Sequence, residues 1–163
     1  MSFLPGLQSL GHPPAFHTIT RDTGPYLTTS VEGICTVGLE IGVAVDALHR
    51  AGIFHGDLYA HNILYNEAQK KVLLSDFGAA FQMQAPAAKA LFTTIEVRAY
   101  GALLDDLVVG LAPSITAAAT AAEEAVLSQL SGLASEILAS TLQTRRSMAP
   151  LLKELGKICD GLR

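Results

Sequence analysis

Apolar residues crowd the stretch from Ile34 to Leu48, and this predicts a helix buried on most of its faces. Ser30 is placed to cap it, with Glu32 in the first turn. Gly33, Gly38 and Gly42 each weaken such a helix by about 1 kcal/mol relative to alanine, so close packing has to compensate. Two short apolar runs follow, Ile63-Leu64-Tyr65 and Val72-Leu73-Leu74-Ser75, joined by the polar stretch Asn66 to Lys71, a pattern that predicts a β-hairpin. Ala79 to Thr94 shows no period and is expected to be irregular. Glu96 to Val109 is expected to be a helix ended by Gly110 to Pro113. The alanine-rich part from Ile115 to Leu130 predicts a helix whose apolar face holds Val126, Leu127 and Leu130. Leu133 to Leu142 and Ser147 to Ile158 predict two more. Met1 to Leu27 holds Pro5, Pro13, Pro14 and Pro25 and is expected to be extended or turn-like. The expected organisation is a leader over residues 1–30 and one mainly α domain over 31–163, without internal repeats.

Composition narrows the picture. A chain of 163 residues suffices for one domain that buries about 70% of its surface on folding. A net charge of -4 leaves no basic stripe to neutralise phosphates, which argues against nucleic acid as partner. Cys35 and Cys159 are too few for a disulfide framework, and no CxxC is present. The start has no basic n-region and no uncharged apolar run spans a bilayer, so no membrane role and a cytoplasmic location are expected. The apolar share of 50% is high for an acidic domain and suggests a surface meant to be covered.

The chemistry lies in His55-Gly56-Asp57-Leu58-Tyr59-Ala60-His61-Asn62 and in Asp76-Phe77-Gly78, at the two ends of the hairpin. These motifs resemble the catalytic loop and metal-binding loop of the protein kinase family. Ile34 to Ile53 resembles the long helix before the catalytic loop. Glu96-Val97-Arg98-Ala99-Tyr100-Gly101 resembles the start of the central buried helix, and Arg145-Arg146-Ser147-Met148 the start of the final one. The resemblance implies the C-terminal lobe of a kinase fold, a helical bundle whose hairpin carries both loops. It implies transfer of the ATP terminal phosphate to a Ser, Thr or Tyr hydroxyl of a protein. Asp57 would orient the hydroxyl and accept its proton. Asp57, Asn62, Asp76 and Gly78 would meet the nucleotide, with Asn62 and Asp76 as Mg2+ ligands. The irregular stretch after Gly78 would be the activation segment. Glu96 would accept hydrogen bonds from catalytic-loop amides, or would simply be a charge favoured at a helix N-terminus.

Departures from the family pattern carry information too. No lysine precedes Lys70, and Gly6, Gly11 and Gly24 do not form G-x-G-x-x-G. Met1-Ser2-Phe3-Leu4 and Pro5-Gly6 correspond to the last strand of the small lobe and the hinge, so the N-terminal lobe is expected to be absent and supplied by a partner, or to lie on a longer chain. Gly56 stands where many kinases have the arginine that grips a phosphorylated activation segment, so phosphorylation of Thr93 or Thr94 is not expected to act through that position. Tyr59 and His61 stand near where a lysine or arginine steadies the transferring phosphate. His61 is the candidate for that catalytic role, although an ordinary imidazole is mostly neutral at pH 7.

Plainer readings exist for each residue. Asp-Phe-Gly alone is ordinary turn chemistry. His55, Asp57 and His61 are possible transition-metal ligands, while His55 packed under the loop and bonded to backbone is the simpler expectation. Arg98 and Arg145 read as surface charges. The family's arginine at the latter position pairs with a glutamate of Ala-Pro-Glu, which is missing between Gly78 and Glu96. Met83 and Met148 read as packing residues. His-Gly-Asp with asparagine five residues on also resembles small-molecule kinases of the aminoglycoside and choline type. Leu10-Gly11-His12-Pro13-Pro14 and Thr20-Arg21-Asp22 resemble bacterial kinase-like proteins associated with leucine-rich repeats. A pseudokinase-like binding module is the non-enzymatic alternative.

Overall fold

The computed structural model describes residues 6–12, 30–115 and 119–162. It is mainly helical. Helix α1 (Val31–Ala51) begins where the cap is expected, with Ser30 Oγ accepting from Gly33 N at 3.0 Å, and it ends at Gly52, whose φ is +73°. Three β-elements form a sheet in the order β1 (Gln8–Ser9), β3 (Ile63–Asn66), β4 (Lys71–Leu74), all antiparallel. The predicted hairpin is β3–β4, pairing Ile63 with Leu74 and Asn66 with Lys71. A second antiparallel pair joins β2 (Ile53–Phe54) to β5 (Phe81–Gln82).

The helices α2 (Pro86–Ile115), α3 (Ala121–Ala139) and α4 (Met148–Cys159) pack with α1 around one core. Ile34, Val37, Ile41 and Val45 of α1 meet Tyr100, Leu104 and Leu107 of α2 in a cluster closed by Leu130, Ile137, Met148, Leu151 and Leu155. Gly42 explains why a glycine is tolerated mid-helix: a Cβ there would lie 2.5 Å from Leu152 Cδ2 and 3.0 Å from Tyr100 Oη. The Tyr100 hydroxyl donates to Gly38 O at 2.8 Å in the same crevice, and full burial pushes that phenol well above its ordinary pKa. Close approach repays the helix cost of these glycines.

Several boundaries differ from expectation. α2 starts at Pro86, ten residues before Glu96, because proline at the first helical position needs no N–H partner and the alanines that follow favour helix. The stretch from Ala79 to Thr94 is therefore irregular only up to Ala85, apart from the short strand β5. α2 also runs past Gly110 and Pro113 to Ile115. The helix expected from Ile115 to Leu130 begins at Ala121 instead, fixed by a capping box in which Thr120 Oγ1 accepts from Glu123 N and the Glu123 carboxylate accepts from Thr120 N. It continues through Gly132, so the separate helix expected from Leu133 to Leu142 is its second half and stops at Ser140. α4 matches its expected span to within a residue.

Cys35 and Cys159, too few for a framework, nevertheless form one disulfide, with Cα atoms 5.7 Å apart. It ties α1 to the end of α4. Of the leader expected over residues 1–30, residues 1–5 and 13–29 lie outside the described residues, as do Thr20-Arg21-Asp22 and Pro13-Pro14. The described piece adds β1 to the sheet and buries Leu10 completely.

Candidate active site

β2 delivers the chain into the site. His55, fully buried, has Nε2 2.9 Å from Ser75 O, and its ring stands edge-on to Phe77 with centroids 4.8 Å apart. It packs beneath the loop and bonds backbone, which leaves that nitrogen unable to ligate a metal. Among the described residues no group of three or more His, Cys, Asp or Glu is placed to hold a metal ion, so the reading of His55, Asp57 and His61 as a transition-metal set fails.

Gly56 has φ +79°, and a Cβ on it would lie 2.6 Å from Ala79 O. The backbone just after Asp76-Phe77-Gly78 thus presses on the position where an arginine stands in many relatives of this motif. Gly56 N donates to Glu96 Oε1 at 2.8 Å, and His49 Nε2 meets Glu96 Oε2 at 2.8 Å. Glu96 and His49 are both buried. Glu96 lies deep within α2, not at its N-terminus, so the helix-dipole account of this residue is replaced by the amide-accepting one. A buried carboxylate needs such partners, since isolation in the interior is costly.

Asp57 keeps its side chain 41% exposed. Asn62 is buried, and its Nδ2 forks between Asp57 O at 2.8 Å and Asp57 Oδ2 at 2.9 Å. One carboxylate oxygen of Asp57 is thereby held. His61 Nε2 lies 3.9 Å from Asp57 Oδ2, and the His61 ring stacks on Tyr59. Asn62 O accepts from Ser75 N at 2.8 Å and from Ser75 Oγ at 2.7 Å, which ties the first loop to the residue before Asp76. Asp76 is exposed, has φ +56°, and accepts from Gly78 N at 3.2 Å. Asp76 is a non-glycine residue in the left-handed region, stabilised there by its own bond to backbone.

Asp57, His61 and Asn62 thus meet directly, and Asp76 with Gly78 follows Ser75, which bonds to Asn62 O. Sequence reasoning missed four supports. Ser9 Oγ, from β1, donates to His61 O at 2.7 Å, and Ser75, His49 and the Ala79 carbonyl buttress the two loops. His49, Ser75 and Ala79 lay within stretches that the sequence singled out for their local structure, but nothing marked them as supports of the site, and Ser9 lay in none.

The model of the protein kinase domain family matches residues 24–105, half of the chain, and covers α1, both loops and the first two-thirds of α2. The chain belongs to the protein kinase family. No curated protein matches it. In this kinase chain Thr93 and Thr94 sit inside α2, not in a loop, with Thr94 Oγ1 bonded to Ala90 O. Arg145 is not a solvated surface charge: it donates to Thr94 O at 3.0 Å, to Ser140 Oγ at 2.8 Å and to Ser140 O. Burial, with Arg98 nearby, lowers its pKa. The arginine that the family pairs with a glutamate here takes backbone oxygens at the end of α3 and in α2 instead. Arg98, exposed, donates to Leu138 O. Met148 is a core residue as expected, and Met83 is partly buried.

The donor set suits magnesium. The side-chain oxygens of Asn62 and Asp76 are hard donors of the kind that magnesium takes. A magnesium ion held there would neutralise charge on the phosphates of a bound nucleotide.

Proposed function

We propose that this lobe takes part in transfer of the terminal phosphate of ATP to a Ser, Thr or Tyr hydroxyl of a protein. The observation that carries the reading is the Asn62 fork, which aims and holds a half-exposed Asp57 carboxylate beside the loop bearing Asp76. Asp57 orients the hydroxyl and takes its proton. Asn62 and Asp76 hold magnesium, and Gly78 fixes the Asp76 carboxylate through its N–H. His61, near Asp57, contributes a donor toward the phosphate when protonated. The lobe spans 31–163 in this reading, with 1–30 as a hinge-like leader. The glycine-rich cover and the lysine are not within these 163 residues, so the half-site is expected to work beside a polypeptide that supplies them, and to be weak alone. ATP as donor makes the cytoplasm the place of action. No helix among the described residues is long and apolar enough to cross a membrane.

A second acceptor class is favoured by one observation. Only residues 79–85 separate Gly78 from α2, which leaves little platform for a protein substrate and suits a small-molecule hydroxyl.

Calorimetric titration with ATP and magnesium, alongside Asp76→Asn, tests the common core of both readings. Saturable, magnesium-dependent binding lost in the variant supports it, and assays with protein and metabolite acceptors then separate the two. A well-folded chain that binds no nucleotide, even with a kinase small lobe added, means a binding module without activity.

A further inference from the structure

The Cys35–Cys159 bridge lies at a cavity of about 620 Å³ lined by the start of α1, the start of α3 and the end of α4. The two sulfurs differ in access. Both cysteines line the cavity, but Cys35 is 4% exposed, whereas Cys159, the last residue of α4, is partly exposed. The other ionisable groups lining it are Glu32, Glu123 and Asp160, and no lysine, arginine or histidine is among them. Glu32 also pairs with Lys70, and Glu123 is engaged with Thr120. Three carboxylates around one entrance still make an electronegative mouth, because ion pairing at an exposed surface leaves much of the field in place.

We propose that this bridge is a thiol-exchange site, opened by a low-mass cationic thiol that enters the acidic cavity and attacks Cys159 Sγ. The thiolate sulfur bonds to Cys159 Sγ, the Cys159–Cys35 bond breaks, and Cys35 leaves as a thiolate that takes a proton from water. A second thiolate then attacks the sulfur of the adduct, releasing the low-mass disulfide and the Cys159 thiolate, which is protonated in turn. Two electrons pass from two small thiols to the two cysteines. Cys35, 4% exposed against the partly exposed Cys159, is the less accessible of the two to attack. In a reducing compartment a protein disulfide is typically a transient, responsive one, and an accessible sulfur beside a buried leaving group suits that behaviour.

The test uses the full chain, purified oxidised, with limiting cysteamine or glutathione at equal thiolate concentration and low salt. Rates are normalised to the same thiols acting on a small neutral disulfide, and adducts are mapped by acid quench, alkylation and peptide mass. The expected result is a mixed disulfide on Cys159 with Cys35 free, and a normalised rate several-fold higher for cysteamine than for glutathione. That ratio is expected to fall toward one in about 1 M salt, where the screening length shrinks to about 3 Å, and to drop in Glu32→Gln, a change at an exposed side chain whose fold is checked by circular dichroism. An adduct on Cys35 or equally on both, a ratio of one at low salt, or two free thiols in the oxidised preparation overturns the proposal.

Discussion

At the scale of single residues, the site depends on a division of labour between two aspartates. In the proposed reaction Asp57 meets the acceptor and Asp76 the metal-bound nucleotide, so Asp57→Asn is expected to lower the phosphotransfer rate with little change in nucleotide affinity. Asp76→Asn is expected to weaken magnesium-dependent binding, and equal effects of both on rate and affinity would contradict the assignment. Gly56 carries a separate expectation. Its φ of +79° and the 2.6 Å approach of Ala79 O leave no room for a side chain. Gly56→Ala is expected to cost about 1–3 kcal/mol in a urea melt, because strain in φ adds to displacement of backbone. An arginine there, as in many relatives, is expected to be worse still.

At the scale of elements, the helix ends are held by particular side chains rather than by propensity alone. Glu123 has its pKa lowered, first by the Thr120 backbone N–H and then by the Thr120 hydroxyl. A depressed carboxylate pKa means that the unfolded chain binds the proton more readily. The stabilisation is present above the ordinary carboxylate pKa and disappears as pH falls through the lowered one. Thr120→Ala is expected to lower the thermal midpoint by a few degrees at neutral pH and by less near about pH 3. Tyr65 behaves in the opposite sense. Its pKa is pushed up to about 12, by burial first and then by Glu67 and Glu32. The folded chain therefore holds that proton where the unfolded one, near 10, has released it. Stability is expected to fall as pH rises from about 10 to about 12, and more shallowly in Tyr65→Phe, as followed by circular dichroism.

At the scale of the whole molecule, the bridge between Cys35 and Cys159 closes a loop spanning a sequence separation of 124. On chain-entropy grounds a loop of that size stabilises by about 4–5 kcal/mol. Reduction, or Cys35→Ser with Cys159→Ser, is expected to shift the urea midpoint down by a corresponding amount, and a shift below about 1 kcal/mol would mean that α1 and α4 hold together without it. The bridge joins the helix that feeds the catalytic loop to the last helix of the bundle. Stability of the candidate site is thereby expected to follow the redox state of this pair.

What the sequence determined by itself was local. The spacing of Asp57, Asn62 and Asp76 across a short hairpin, the cap at Ser30 and the apolar periods of α1 and α4 follow from residues within a few turns of one another, so pattern and turn chemistry suffice. The start of α2 at Pro86 and the capping box at Thr120 were legible in principle, as proline before alanines and as threonine three residues before glutamate. A missing period hid the first, and continuous alanine helix propensity hid the second. Only the tertiary structure decided which distant group answers each polar one: Thr94 O and Ser140 for Arg145, Ser9 for the His61 carbonyl, Cys159 for Cys35 and, between the two roles that the resemblance left open, Glu96 for the Gly56 amide. Those pairings span from 5 to 124 residues, most of them 40 or more. A buried polar group or thiol requires a partner, which sequence can state; the identity of that partner is set by how the helices pack.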